Sequence, residues 1–205
     1  MAEKVFPTKG NLIATKRSLA LSLMGYELLD KKRSVLIMEM MRLIDRAREI
    51  QASVDEAFRK AYDALQQSDM ATATFVNLAA VIPVDDSIDL RSRSVMGVEL
   101  PIVRAQEKPP RLAYGFLETN AKLDEAYIEF RNLKKRIIEL AEVENNVYRL
   151  ATAIKKTKIR ANSLQNIIIP QLTETVKYIS ESLEEKEREE FSRLKVIKNR
   201  KEKQG

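Results

Sequence analysis

The chain has 205 residues, of which 44% are hydrophobic and 32% charged, with a formal net charge of +6. Only 5 glycines and 6 prolines occur, and this composition is typical of long helices with few loops. The sequence contains no cysteine and no histidine. This excludes disulfides, thiolate nucleophiles, imidazole metal sites and histidine acid–base catalysis. We predict no catalytic residue, no metal site and no bound cofactor.

Two further classes are disfavoured by what the sequence lacks. Neither GxxxxGK[ST] nor GxGxxG spacing occurs, so no standard phosphate-binding loop is present. No run of 18 apolar residues exists, and the N-terminus lacks the apolar core of a signal peptide. We therefore expect no membrane insertion.

The prolines divide the chain into three parts. Four of the six lie between Pro83 and Pro110, and long proline-free stretches precede and follow them. Proline interrupts helices, so this distribution predicts a helical hairpin with an irregular insert. We expect one elongated domain over 1–205, with an N-terminal helix, an insert and a C-terminal helix at 7–78, 79–112 and 113–200.

The N-terminal stretch follows the three–four spacing of a coiled coil. Thirteen of its sixteen seam positions are apolar, well beyond the usual threshold for a coiled coil. Those positions are Leu12, Thr15, Leu19, Ser22, Tyr26, Leu29, Arg33, Leu36, Met40, Leu43, Ala47, Ile50, Val54, Ala57, Ala61 and Ala64.

The C-terminal stretch follows the same spacing less perfectly. Its predicted seam is Phe116, Thr119, Leu123, Ala126, Phe130, Leu133, Ile137, Leu140, Glu144, Val147, Ala151, Ile154, Lys158 and Ala161. Beyond Ala161 the register shifts, and a different set fits better: Leu164, Ile168, Leu172, Val176, Ile179 and Leu183. The shift coincides with Pro170, which removes a backbone donor and clashes with the Asn166 carbonyl. We expect a kink or local unwinding there.

The insert changes its period from about 3.5 to about 2, which indicates β-strands. We predict a two-stranded hairpin at the tip of the coiled coil. The pattern leaves the turn open between residues 91–93 and Gly97. The hairpin residues of interest are Ile88, Leu90, Val95, Gly97, Val98 and Leu100.

Two basic clusters fall at one level of the predicted hairpin of helices. If residues 77 and 112 face each other, antiparallel partners sum to about 189, and 31–33 lies opposite 156–158. The cations brought together are Lys31, Lys32, Arg33, Lys155, Lys156, Lys158 and Arg160. We predict that this basic belt contacts carboxylates of a partner, which would relieve the repulsion among like charges.

Three segments carry a resemblance to a known family. They are PTKGNLIATKRSLALSLMGYELLDKKRSVL at residues 7–36, SVMGVELP at 94–101 and ANSLQNIIIPQLTETVKYISESLEEKEREEFSRLKVIKNR at 161–200. Together they resemble the D subunit of V-type and archaeal-type rotary ATPases over essentially the whole chain. The two terminal motifs are specific, because coiled-coil periodicity alone does not produce them.

The resemblance implies a function and a set of partners. It implies an all-α fold, a long antiparallel two-helix coiled coil with a short β-hairpin, acting as the non-catalytic rotor axle. The paired termini would enter the hexamer of catalytic A and B subunits, which hydrolyse ATP. A small F subunit and a funnel-shaped subunit would be the other partners, the latter joining the axle to the membrane ring. The chain would be cytoplasmic and peripheral to the membrane.

Two alternatives start from the residues alone. The basic clusters favour a coiled-coil module that binds nucleic acid, although the few aromatic residues are mostly at seam spacing and offer no stacking platform. Apolar residues such as Leu21, Leu28, Val35 and Ile37 lie outside the seam and would suit a homo-oligomeric scaffold or a membrane-surface hairpin. We rank both below the rotor axle, and we predict no nucleic acid partner.

Overall fold

The computed structural model describes residues 5–69, 87–105 and 121–202. In chain order it contains α1 (Lys9–Asp69), β1 (Ile88–Val95), β2 (Val98–Ala105), α2 (Ala121–Ser163), a π-helix (Leu164–Ile168) and α3 (Ile169–Glu202). The predicted fold class, an antiparallel coiled coil with a β-hairpin, is confirmed. The predicted helix ends at 70–78 and 113–120 lie outside the described residues, as do the seam positions Phe116 and Thr119.

The helix α1 begins where a threonine caps it. Thr8 Oγ1 accepts a hydrogen bond from the Asn11 backbone N–H at 3.2 Å, and the Thr8 carbonyl accepts one from Leu12 at 3.0 Å. Threonine satisfies an orphan N–H of the first turn in this way. The helix then continues for 61 residues, with every predicted seam position from Leu12 to Ala64 buried or half-buried. The residues of α1 that follow the three–four spacing therefore lie on its less exposed side.

The strict spacing is wrong for Ile137, for three later positions of the C-terminal half and, in the shifted register, for Ile168. It predicted Glu144, Ala151 and Lys158 in the seam, and all three are exposed. The residues immediately before them are buried instead: Val143, Leu150 and Thr157 are 4%, 0% and 6% exposed. Val143 takes the dry position instead of Glu144 because a buried unpaired charge costs several kcal/mol. Leu150 takes the dry position instead of Ala151 because its larger side chain buries more apolar surface.

The chain divides into two compact units by the proximity of its Cα atoms. The terminal unit contains the residues up to Ser34 and those from Lys155 onward, and the central unit contains Val35–Ile154. In the central unit one cluster is formed by Leu36, Leu43, Leu100, Val143 and Leu150, and another by Val54, Ala57, Ala61 and Leu133. Edge-on packing of Tyr62 against Phe130, with ring centroids 5.6 Å apart, borders the second cluster.

The hairpin turns at Met96–Gly97, which settles the choice that the sequence left open. Both residues have positive φ, 50° for Met96 and 75° for Gly97. Two central residues with positive φ define the turn type that matches the right-handed twist of paired strands. Val95 pairs with Val98 across the turn, and the register runs to Ile88 opposite Ala105.

The hairpin lies beside the helices at the level of Leu36–Leu43 and Val143–Leu150. It packs on the sides of α1 and α2 within the central unit. Leu100 is fully buried in the cluster with Leu36, Leu43, Val143 and Leu150. The Arg93 guanidinium pairs with Glu39 Oε1 at 3.0 Å. A two-stranded hairpin is marginal by itself, and packing against helices supplies the missing stabilisation.

The free edge of β2 is covered by α2. Backbone groups of the non-hydrogen-bonded pairs at 99, 101 and 103 point away from β1. Three α2 side chains meet them: Glu142 Oε2 accepts from the Val103 N–H at 2.7 Å, Asn146 Nδ2 donates to the Pro101 carbonyl at 3.1 Å, and Arg149 Nη1 donates to the Glu99 carbonyl at 3.1 Å. Pro101 fits here because its position owes no N–H to β1.

Candidate partner-binding surfaces

The described part of the chain has several surfaces that suit the binding of protein partners. Two of them are a basic belt and a set of apolar side chains that point away from the seam. Within residues 5–69, 87–105 and 121–202, no group of three or more acidic, cysteine or histidine side chains could hold a metal ion. No helix in those ranges is long and apolar enough to cross a membrane.

All seven residues of the predicted basic belt fall in the terminal unit. The level at which they face each other is fixed by Gly25, since a Cβ built there would lie 3.8 Å from Leu164 Cδ1. The numbers of these two residues sum to 189, which is the predicted antiparallel register. Lys31–Arg33 therefore lie level with 156–158, as the sequence predicted.

The belt is short of carboxylates. Arg33 forms an ion pair with Asp30 one turn earlier in α1. The other six cations have no ion pair within the described part of the chain: Lys31, Lys32, Lys155, Lys156, Lys158 and Arg160. Like charges held together repel, and the energy of this arrangement falls when an acidic surface comes close.

The terminal unit also exposes large apolar side chains on the α1 face opposite its seam. Leu21, Met24 and Leu28 are 66%, 54% and 67% exposed. Their spacing of three and four residues puts them on a single stripe of the helix. A helix that is apolar on two opposite faces needs two packing partners, and α3 or α2 covers only one of those faces.

The last part of α3 carries another exposed apolar stripe. Every residue from 184 to 202 is exposed, although this segment remains helical. Phe191, Leu194 and Ile197 follow each other at intervals of three residues and are each more than half exposed. A stripe of this kind on a charged helix is an expected contact surface for another protein.

One ion pair joins the two ends of the terminal unit. Lys9 Nζ lies 2.8 Å from Glu187 Oε1. Hydrogen bonding and charge attraction from Glu187 raise the pKa of the Lys9 ammonium, and the same contact with Lys9 lowers the pKa of the Glu187 carboxyl. Both side chains are well exposed, so water screens the pair and its contribution to stability is small.

Eight predicted seam residues of the central unit differ in burial. Leu36, Leu43 and Leu133 are buried. Half-buried positions are held by Met40, Ile50, Phe130 and Leu140. Ile137 differs, because 39% of it is exposed.

The six proposed hairpin residues occupy three different environments. Leu100 is buried, and Val95 and Val98 pack partly buried beside it. Gly97 forms the second residue of the turn. Ile88 and Leu90 on β1 are 46% and 69% exposed. Pro170, proposed as a helix kink, is the second residue of α3 and follows the π-helix.

Sequence reasoning missed the α2 residues that hold the hairpin. Glu142, Asn146 and Arg149 lie on adjacent turns, and Asn146 is only 2% exposed. Polar residues spaced by four and three positions are ordinary on a helix surface, so their spacing alone did not mark them. A signal was nevertheless available, because Asn146 is flanked by Val143, Val147 and Leu150 and therefore falls inside the apolar stripe.

The comparison with known proteins decides the family. Residues 11–199 match the family model for the ATP synthase D subunit. The chain belongs to that family. The D subunit of the V-type ATP synthase from Thermotoga neapolitana is 43% identical over 96% of this chain and 98% of its own length. The D subunits of the A-type ATP synthases from Methanosphaera stadtmanae and Pyrococcus furiosus are 39% and 36% identical over 94% and 95% of this chain, and over 92% and 94% of their own lengths.

Family membership makes this chain a component of an ATP synthase. It also confirms the resemblance that the terminal motifs and the SVMGVELP segment carried. The match extends through both helices and the hairpin. The chain covers nearly the full length of these relatives.

Proposed function

We propose that this chain is the central-stalk rotor shaft of a V/A-type ATP synthase and carries torque between the catalytic hexamer and the membrane ring. The chain itself is non-catalytic in this proposal, and the A and B subunits bind and hydrolyse ATP. The remaining partners are the small F subunit and the funnel-shaped subunit that connects the shaft to the membrane ring. The chain is then cytoplasmic and peripheral to the membrane.

The observation that carries the proposal is the surface of the terminal unit. Its α1 segment is apolar on the face opposite its own seam, at Leu21, Met24 and Leu28. The same unit presents six cations without carboxylate partners among the described residues. Apolar side chains turned away from the seam, together with free cations, suit a partner that encloses the unit.

The chemistry of the belt suits a contact that must slide. A single exposed ion pair contributes about 0–1 kcal/mol, and lysine holds a carboxylate without the fixed two-point geometry of arginine. Five of the six free cations are lysines. Such contacts can be exchanged between several similar partner surfaces at low cost, which a rotating shaft requires.

The test is binding of the purified full chain to the purified A/B hexamer across a salt series. The variant changes Lys31, Lys32, Lys155 and Lys156 together to Gln, and leaves Arg33 intact because Asp30 already pairs with it. At about 0.5 kcal/mol for each contact, affinity should fall about 30-fold at low salt. The dependence on salt should also become shallower.

A control removes the same charge elsewhere. Arg46, Arg48, Arg59 and Lys122 are exposed cations of the central unit, and the fourfold Gln variant at these positions should bind like the wild type. Equal affinities and equal salt slopes for the belt variant and the wild type would show that the belt does not contact the hexamer and is only a solvated surface. Failure of the wild type to bind the hexamer, with tight salt-dependent retention on DNA, would favour the nucleic-acid alternative.

A further inference from the structure

The π-helix lies between α2, which ends at Ser163, and α3, which begins at Ile169, with no break in the helical chain. The Ile169 N–H donates to the carbonyl of Leu164, five residues earlier instead of four. The five-residue segment Leu164–Ile168 contains no buried residue, and Ile167 is 54% exposed. Segments of this kind are rare, and they occur frequently at functional sites.

The π-helix absorbs one surplus residue. Before it, the seam runs through Thr157, Ala161 and Leu164. Continued α-helical spacing would bring Gln171 and Tyr178 into the seam, but both are exposed. The structure instead half-buries Leu172 and buries Ile179, one residue after each of these positions, and Val176 and Leu183 are half-buried as well. A chain one residue shorter here would reach the same seam with regular α-helical spacing, but Pro170 would still lack an N–H and would meet the carbonyl four residues before it.

Pro170 holds the surplus residue in place. In an α-helix its ring would clash with the carbonyl of Asn166, and its nitrogen has no hydrogen to donate. The wider turn of the π-helix moves that carbonyl away. The surplus residue is therefore favoured on the N-terminal side of Pro170. A deletion would restore the regular hydrogen bonds only if Pro170 were replaced as well.

We propose that the π-helix is a hinge at which α3 bends and twists relative to residues 155–163. Its backbone bonding is irregular and none of its side chains is buried, so it opens at a lower free energy than the helices beside it. The seam from Leu172 to Leu183 remains packed while the hinge yields. The inference rests on the proposed function, because a shaft under load is what such a hinge serves.

The first test uses hydrogen exchange in the isolated full chain. Amides of residues 165–169 should exchange at least about tenfold faster than those of 155–162. Deletion of Ile167 combined with Pro170→Ala should remove this difference and leave helicity and melting temperature unchanged or raised, because the seam is kept and no proline interrupts the regular helix. Equal protection of the two segments in the wild type would overturn the hinge. Unfolding of the deletion variant would overturn the register argument.

The second test uses the complex assembled with the A/B hexamer. The Ile167 deletion combined with Pro170→Ala should bind like the wild type but lower ATP turnover at least about threefold, because the hinge is gone. Ile167→Ala is the matched control, since it keeps the surplus residue, and it should turn over at the wild-type rate. Normal turnover in the deletion variant, or equal losses in both variants, would overturn the hinge. Failure of the wild type to bind would instead reject the proposed function, while the exchange result would stand independently.

Discussion

The central and terminal units have the same coiled-coil pattern but differ in how much of it they bury. Of the thirteen buried hydrophobic residues among those described, eleven lie in the central unit, and only Ala161 and Ile179 lie in the terminal unit. The central unit also gains a third element, because the hairpin packs on it through Leu100. Apart from residues 5–8, the terminal unit is helical throughout its described residues, and it leaves large apolar side chains exposed.

The difference indicates where the stability of the isolated chain resides. A coiled coil with small side chains such as Ala57 and Ala61 in its seam lets the helices approach closely and excludes water. The terminal unit lacks such a dry core among its described residues and keeps apolar surface that only a partner can cover. We therefore expect the central unit to set the melting behaviour and the terminal unit to set binding.

The largest expected effect on the free energy of unfolding comes from placing a charge in the seam of the central unit. Leu133 is 3% exposed in the cluster with Val54 and Ala61. Leu133→Asp should lower the free energy of unfolding by about 4 kcal/mol, because it removes packing and buries an unpaired carboxylate. Urea titration followed by circular dichroism measures it. Leu21→Asp, at a position 66% exposed, is the control and should leave unfolding nearly unchanged.

The next largest expected effect on stability comes from removing the buried side chain of the hairpin. Leu100→Ala should cost about 2–4 kcal/mol, since the fully buried side chain fills the space among Leu36, Val143 and Leu150. Leu90→Ala on the exposed strand should cost less than about 0.5 kcal/mol. Thermal melts of both variants provide the measurement. Equal melting temperatures would show that the hairpin contributes nothing to the central unit.

The α1 seam was predictable in full because local apolar periodicity decides which face of a long helix is buried. The register of the C-terminal half was not predictable from spacing. Glu144 and Ala151 fit the three–four spacing, whereas the buried residues Val143 and Leu150 do not. At Glu144 the cost of burying a charge separates the two alternatives, and at Ala151 the larger apolar surface of Leu150 does so. A strict repeat should therefore give way wherever an adjacent apolar residue competes with a charged one.

The place of the hairpin could not be read from its own residues. Alternation predicts strands, but it carries no information about which part of a helix receives them. That information lies in Glu142, Asn146 and Arg149, which are 39, 45 and 50 residues away from their backbone partners in the chain. The basic belt was easier to anticipate, because the antiparallel register follows from where the two helices face each other. Its proposed role as a hexamer contact stays a prediction.

A smaller effect comes from the turn of the hairpin. Met96 holds a φ of 50°, which costs a side chain with a Cβ roughly 1 kcal/mol. Asparagine tolerates this conformation, so Met96→Asn should stabilise by about 0.5 kcal/mol. Gly97→Ala should destabilise by about 1 kcal/mol through backbone conformation alone, because nothing lies within 4 Å of the added Cβ. Melting of the two variants in opposite directions is the expected result.

The smallest effect concerns pH and the ion pair of the terminal unit. The lowered pKa of Glu187 means that its contribution exists above the ordinary value of 4.5 and is lost as pH falls through the lowered pKa. The raised pKa of Lys9 means that its contribution exists below 10.5 and is lost as pH rises through the raised pKa. Melting temperatures of the wild type and Glu187→Gln should therefore differ slightly between these limits and converge outside them. High salt should shrink the difference, because both groups are exposed. A difference that persisted in acid, where Glu187 is protonated, would show that the substitution acts on helix packing and that the pair contributes nothing.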